Sequence, residues 1–392
     1  MLSQWAAEGS GATSWVRDAY DAALAGRGRG KVTGMIAEVA LGQPLGQPPA
    51  AVLDALSRAV AERWPGRFAY MPNLGYPELR ERAALECGLP GLGGDCVAIT
   101  AGASGALTVA LRAFADPGTE ALAISPVFPE YGLYCRAAGV RLVPVPSRPD
   151  FSLDLAAVER ALTGRTRVLF LNTPNDPTGR VLSEAELAGL AGLLDRHVRR
   201  SGRQIVILAD EVYRKLVYPG KSATTVLSHY PSTAVARSFS KDLGLAGERI
   251  GYLALHPELA AGDAMAGVKL AQRAGGFVNA SATMQRMLAL LDSWEVDTSE
   301  HLRRRDQVVE RCRSAGLEVT PPDAGLYLFL RVPAPDPDDF VAGLNRRGVF
   351  VAPGRGFGVP DHVRVCFAAP IEAVERAIEV MGELAMVGAT PS

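Results

Sequence analysis

The chain has little of what usually announces a function. It holds five cysteines in 392 residues, Cys87, Cys96, Cys135, Cys312 and Cys366, and no two form a CxxC pair. That scatter gives no zinc ribbon and no thiol–disulfide motif, and it reads as reduced, packed thiols of a cytoplasmic protein. Histidine is equally sparse: His197, His229, His256, His301 and His362 all lie outside any motif. A metal centre or a serine–histidine mechanism has little to build on. Net charge is almost absent, with 41 Lys and Arg against 42 Asp and Glu. This balance offers no footprint for nucleic acid or for an anionic membrane. No apolar run is long enough to span a bilayer. The start, Met1-Leu2-Ser3-Gln4-Trp5, has neither the pattern of a signal peptide nor that of an Arg-rich transit peptide. Internal repeats and low-complexity segments are missing too.

What is plentiful is apolar residue, 48% of the chain, enough for a large core and more than one domain. Residues 1–34 read as an arm with one helix over Ser14–Leu24, ended by Gly-Arg-Gly-Arg-Gly at 26–30. Met35–Leu41 is a short strand candidate, followed by a helix over Ala50–Trp64. From Val97 onward, short apolar strands alternate with helices. The strands are expected at Val97–Thr100, Ala121–Ser125, Arg141–Val145, Val168–Leu171, Ile205–Ala209, Ala234–Phe239 and Ile250–Leu255. Helices near Leu153–Leu162, Ser183–Arg199 and Pro257–Arg273 separate several of them. This predicts an α/β fold whose mostly parallel sheet is covered on both faces. Ligands of such sheets sit beyond the carboxyl ends of the strands. After about Thr283 the pattern becomes a smaller α+β region, with strands at Leu317–Thr320, Leu326–Val332 and Val363–Phe367.

The most informative stretch is Ser238-Phe239-Ser240-Lys241-Asp242-Leu243-Gly244-Leu245-Ala246-Gly247-Glu248-Arg249. A lysine in a small-residue loop loses solvation, and its amine becomes a nucleophile towards an aldehyde. Two hydroxyls before it and a guanidinium after it suit a phosphate dianion. An aldehyde with a phosphate is pyridoxal 5'-phosphate. Taken alone, the stretch also fits a surface loop with an ordinary lysine. Other strand ends ask for the same cofactor. Ala101-Gly102-Ala103-Ser104-Gly105 opens a helix, with free backbone N–H groups and the Ser104 hydroxyl forming a phosphate cradle. Phe128 follows a strand and is either a ring platform or core. Asn172-Thr173-Pro174-Asn175-Asp176-Pro177-Thr178-Gly179 is a loop of fixed shape whose polar groups can meet a ring hydroxyl. Asp210-Glu211-Val212-Tyr213 puts a carboxylate where it can keep a pyridine nitrogen protonated, although a helix N-cap is an equally good use of Asp210. Arg364, on a late strand, is either a bidentate carboxylate ligand or a solvated charge. Gly42 allows close backbone approach or simply makes a turn.

Together these stretches resemble the class I/II aminotransferases of pyridoxal-phosphate fold type I, from about Met35 to about Glu383. The resemblance implies a large domain with a seven-stranded, mostly parallel sheet over residues 46–283 and a C-terminal small domain over 284–392. Residues 1–45 then supply the arm and part of the small domain. It implies that Lys241 forms the Schiff base, that Asp210 pairs with the pyridine nitrogen, and that Tyr213 bonds the ring oxygen. Ala103, Ser104, Ser238, Ser240 and Arg249 would surround the phosphate, and Phe128 would stack on the ring. Arg364 and the Gly42 backbone would take the substrate α-carboxylate. Tyr70 would reach the neighbouring subunit's phosphate and Asn279 would help to line that subunit's site, which implies a homodimer.

One position departs from the family. Asparagine usually precedes the proline of the Pro-Thr-Gly loop; here it is Asp176. An ionised aspartate cannot donate to the ring oxygen. Either Asp176 is protonated, or the imine becomes more basic, or Asn175 turns in instead, or Asp176 meets a cationic substrate group. The expected function is amino transfer from an L-amino acid to a 2-oxo acid. The alternative is a lyase, γ-replacement enzyme, cyclase or oxidase on the same fold, because the lysine stretch also resembles that of the aminocyclopropane-carboxylate synthases. Its substrates would be S-adenosylmethionine or a cationic amino acid. A regulatory cofactor-binding module is disfavoured, since residues 1–34 hold no helix-turn-helix.

Overall fold

The computed structural model describes residues 21, 36–44 and 46–388. The arm helix over Ser14–Leu24, apart from Asp21, lies outside the described residues, as do Arg27, Arg29 and residues 389–392. Twelve strands are described: β1 Ala37–Glu38, β2 Val97–Thr100, β3 Glu120–Ile124, β4 Arg141–Val145, β5 Thr166–Asn172, β6 Val206–Asp210, β7 Thr233–Ser238, β8 Gly251–Leu255, β9 Tyr327–Arg331, β10 Val349–Phe350, β11 Ala352–Pro353 and β12 His362–Cys366.

Seven of them form one sheet in the order β2-β8-β7-β6-β5-β3-β4. Its pairings are parallel except at β8, which runs antiparallel to both β2 and β7. The central strands are apolar without alternation because helices cover both faces. Val206, Ile207, Leu208 and Ala209 of β6 are all buried. One face buries Leu122, Leu169, Ile207 and Val235 against the helix Glu184–Ser201 and its neighbours. That helix starts cleanly: Ser183 and Glu186 form a reciprocal capping box. The other face buries Val168, Phe170, Leu208 and Ala236 under the helix Gly102–Phe114.

A three-stranded antiparallel sheet, β11-β12-β9, forms a second centre with its own core around Val308, Leu328, Val365 and Val374. The segment at the start of the described chain belongs to it. β1 pairs with β10, and the Cys366 N–H donates to the Val39 carbonyl at 2.7 Å.

Several expectations shift at this level. The strand predicted over Met35–Leu41, of which Met35 lies outside the described residues, ends early, at Glu38, because the Glu38 carboxylate accepts from the N–H groups of Ala40 and Leu41, both at 2.8 Å, and bends the chain. Leu317–Thr320 forms no strand. It runs into Pro321-Pro322, whose missing N–H groups cannot continue a ladder. The helix predicted over Pro257–Arg273 is two, Pro257–Ala260 and Ala264–Gly275, parted at Gly262 with φ 93°. A helix over Glu130–Ala138, not anticipated from the sequence, follows β3.

Candidate active site

The site lies along one edge of the large sheet. The carboxyl ends of β2, β3, β5, β6 and β7 meet there. β8 runs the other way, so its amino end, and Arg249 just before it, reach the same edge. Gly251 makes this closeness feasible. It pairs with both Thr100 and Ser238, and a side chain there would collide with the Arg237 carbonyl and with the Gly102 backbone at 3.0 Å.

Lys241 follows β7, and its Nζ donates to the Gly42 carbonyl. Burial depresses the pKa of this amine, while the negative charge of Asp176 works in the opposite sense. Gly42 itself has no room for a side chain, because a Cβ there would run into the Tyr327 hydroxyl.

Asp210 ends β6 and is 5% exposed. No helix begins there, so the N-cap use does not apply. Its Oδ2 accepts from the Tyr131 hydroxyl at 2.9 Å. Its Oδ1 is buried and has no hydrogen-bond partner among the described residues. Burial pushes this carboxyl up to about 6, against the bond from Tyr131, which lowers it. An acid raised in this way contributes most to the stability of the cofactor-free protein at low pH. That contribution is lost as pH rises from the ordinary carboxylate range through about 6. Asp210→Asn is therefore expected to make the cofactor-free protein more stable than the wild type at pH 8, with the gap closing near pH 4. Urea unfolding midpoints at the two pH values check it.

The residues expected around a phosphate come from three segments. The helix Gly102–Phe114 begins at the end of β2 with Gly102, Ala103 and Ser104. Gly102 adopts φ 70°, and a Cβ there would stand 3.1 Å from Nη2 of Arg249. The guanidinium thus lies across the helix N-terminus, and it is held by a bond from Nη1 to the Ala246 carbonyl at 2.9 Å. The Ser238 hydroxyl donates to the Ser240 hydroxyl at 2.8 Å. Burial pushes the Tyr134 hydroxyl up to about 12, against the neighbouring Ser104, which lowers it. Converging N–H groups, hydroxyls and a cation suit a phosphate dianion.

Arg364, 1% exposed, is not a solvated strand charge. Its Nη1 donates to Asp176 Oδ1 at 2.6 Å and its Nη2 to the Ala40 carbonyl at 2.6 Å. Its Cζ stands 4.1 Å from the centre of the Tyr327 ring and 5.0 Å from that of Phe357. Burial works to lower its pKa, but Asp176 more than offsets this and raises it. Asp176 Oδ2 accepts from the Tyr213 hydroxyl at 3.3 Å, which also meets the Tyr327 hydroxyl at 3.1 Å. Asp176, not Asn175, is the inward side chain of its loop. Asn175 Oδ1 closes the turn by accepting from the Thr178 hydroxyl at 2.8 Å and its N–H at 3.2 Å.

Phe128 stands edge-on to Tyr131, with ring centroids 5.5 Å apart. Tyr70 is fully exposed on the single chain, at 107%. Asn279 steadies the loop that carries it by donating to the carbonyls of Pro72 at 3.0 Å and Asn73 at 3.1 Å. Arg355 pairs with Asp338. Sequence reasoning did not single out Tyr131, Tyr134 or Tyr327. Only Tyr131, which closes the Pro-rich stretch 126–131 and lies in the first turn of the helix Glu130–Ala138, carried any signal; Tyr327 reads as an ordinary strand aromatic.

The residues present fit pyridoxal 5'-phosphate: a buried amine, a phosphate cradle, and an unpartnered carboxylate oxygen placed for a pyridinium N–H. The comparisons agree. Residues 36–381 match the family described as aminotransferase class I and II. The chain is 31% identical over 350 residues to an aspartate/prephenate aminotransferase of Thermus thermophilus, covering 86% of this chain and 88% of that protein. It is 29% identical over 356 residues to a probable N-acetyl-LL-diaminopimelate aminotransferase of Bacillus subtilis, covering 88% of each. Among solved structures, an amino transferase from Eubacterium rectale superposes with a TM-score of 0.91 at 28% identity over 100% of both chains. The Thermus thermophilus aspartate aminotransferase with maleate gives 0.79 at 28% identity, covering 94% of this chain and 96% of that one. The chain belongs to the class I and II aminotransferases, pyridoxal-phosphate-dependent enzymes of fold type I.

Proposed function

We propose that the residues of this edge divide the work of amino transfer between an L-amino acid and a 2-oxo acid as follows. Pyridoxal 5'-phosphate, when bound, supplies an aldehyde to take the amino group and a ring to absorb the electrons of the broken Cα–H bond. Lys241 holds the aldehyde carbon, and its freed Nζ then carries the proton to and from Cα. Its depressed basicity suits that exchange. Asp210 Oδ1 accepts from the pyridine N–H, and Tyr131 keeps the carboxylate oriented. Tyr213 donates towards the ring oxygen from beside Asp176. Ala103, Ser104, Ser238, Ser240 and Arg249 hold the phosphate, and Phe128 faces the ring. Arg364 and Gly42 receive the α-carboxylate, with Asn175 shaping the loop beside them. The single observation that carries this reading is the orphaned, buried Oδ1 of Asp210 on the same sheet edge as the Lys241 amine.

The protein is further proposed to act as a homodimer, with Tyr70 of each subunit completing the other's phosphate site and Asn279 holding the Tyr70 loop. Full exposure of an aromatic on a loop pinned by two side-chain bonds supports this. Cytoplasm is the proposed location, where the five free cysteines stay reduced.

A second reading is favoured by Asp176. A lyase, γ-replacement enzyme, cyclase or oxidase would use the same lysine without a 2-oxo acid acceptor. The donors would be S-adenosylmethionine or a cationic amino acid. Single-turnover chemistry separates the two. Loaded protein given a panel of amino acids and no acceptor is expected to form one equivalent of 2-oxo acid per subunit and then stop, with the amino group left on the cofactor. Continued product formation without an acceptor would establish the second reading instead.

A further inference from the structure

The side chain that departs from the family also decides what the carboxylate site sees. Arg364 is already engaged on every edge that faces a described neighbour. Nη1 is on Asp176, Nη2 is on the Ala40 carbonyl, and the ring of Tyr327 stacks against the guanidinium. Only Nε, also buried, has no partner among the described residues. Asp176 is 4% exposed, and its second oxygen takes the Tyr213 hydroxyl. The arginine and the aspartate therefore form a neutral, almost wholly buried pair, and an unpaired charge is costly in such a place.

We infer that Asp176 is a specificity-determining residue that sets the enzyme against 2-oxo acids and in favour of amino acids. The inference rests on the reading that Arg364 receives the substrate's α-carboxylate. An amino acid enters as a zwitterion. Its carboxylate takes over donors of Arg364 while its ammonium brings a new cation into the pocket, and the sum of charges stays zero. A 2-oxo acid brings a carboxylate alone. Its arrival puts two carboxylates on one guanidinium and leaves a net negative charge in a buried place. With asparagine at 176, as the family usually has, the order reverses: a lone arginine welcomes the bare anion. The described cation beside the pair is the Lys241 amine, held on Gly42, and burial disfavours its charged form. Asp176 and a bare carboxylate thus compete for one arginine.

The consequence for the reaction is asymmetric. The amino acid half binds normally, and the half that needs a 2-oxo acid is held back at the binding step. An enzyme of this kind keeps its amino group until a 2-oxo acid is abundant, or until the acceptor carries a cation of its own to meet Asp176.

The test uses two unreactive probes of matched shape on the enzyme loaded with the amine form of the cofactor, the form that meets a 2-oxo acid and that has no aldehyde for an amino group to attack. Isobutyrate is a bare carboxylate; 2-aminoisobutyrate is its zwitterionic counterpart and lacks the α-proton. Isothermal titration calorimetry gives both dissociation constants for the wild type and for Asp176→Asn, which keeps an acceptor for Arg364. Isobutyrate is expected to bind at least tenfold more tightly to the variant, and 2-aminoisobutyrate to change less than threefold. An equal gain for both probes would mean that Asp176 merely fills space, and no gain for isobutyrate would mean that it does not compete; either overturns the inference. Asp176→Ser is the second variant, with the same expected split, should the asparagine form fail to fold. Covalent attachment of cofactor to Lys241, followed separately by mass spectrometry, reports on the functional reading itself, so the two can fail independently.

Discussion

Lys241→Ala is expected to abolish covalent attachment of the cofactor and to lower turnover by about 10⁴-fold, the upper range for a positioned acid–base group. The reason is local and double. Among the described residues no other lysine donates to the Gly42 carbonyl, and Lys215, which follows β6, is held by Glu86 and the Trp294 carbonyl. Borohydride reduction followed by peptide mass spectrometry should locate the cofactor on the peptide containing Lys241 in the wild type and on no peptide in the variant. The variant should still bind cofactor without the covalent bond. Asp210, the helix start at Gly102 and Arg249 remain in place, and the variant gives up one side-chain bond, to the Gly42 carbonyl. A variant that keeps a reducible cofactor–protein bond, or more than about a tenth of its turnover, would sink the assignment of Lys241.

Arg364→Met should be the most destabilising substitution in the site. The methionine matches the stem of the arginine and keeps the contact with Tyr327 and Phe357. It also leaves the buried Asp176 carboxyl without its cationic partner, with a tyrosine hydroxyl as its remaining side-chain partner. Breaking a buried pair by removing one member costs about 3–5 kcal/mol. Guanidinium unfolding of the cofactor-free protein measures this directly. The double variant Asp176→Asn/Arg364→Met removes the stranded charge and should recover more than half of the loss. Activity separates from stability in the same pair of proteins. The double variant should be folded and still nearly inactive, because the guanidinium proposed to receive the α-carboxylate is gone. A single variant as stable as the wild type, or a double variant no better than the single one, would show that the Asp176–Arg364 contact is not the buried ion pair described above.

These outcomes depend on features of different legibility. The strand–helix alternation was readable because a parallel sheet covered on both faces writes its central strands as unbroken apolar runs, as in Val206-Ile207-Leu208-Ala209. Lys241, Asp210 and Ser104 stand just beyond or at the end of apolar runs and Arg249 just before one, and the large sheet carries all four positions to one edge. Arg364 stands in the middle of β12, in the small antiparallel sheet, so only the charge itself marked it. The strands at β10 and β11 escaped because two-residue strands leave no periodicity. Leu317–Thr320 misled because its composition suits a strand while the two prolines beyond it deny it a ladder.

By itself, then, the sequence determined the architecture, the cofactor chemistry and the one position at which this chain leaves its family, because each of these is written in the order of residue types along the chain. Only the tertiary structure decided what faces what. The reversed direction of β8 brings Arg249 across the helix start at Gly102. Tyr131, seventy-nine positions from Asp210, occupies one carboxylate oxygen and leaves the other free. Of the adjacent Asn175 and Asp176, one closes its own turn and the other reaches Arg364, 188 positions away. Contacts of that separation follow from how sheets and helices pack around the site. Local preference carries no record of them, since the same polar residue serves a turn, a cap or an ion pair according to what the rest of the chain brings within reach.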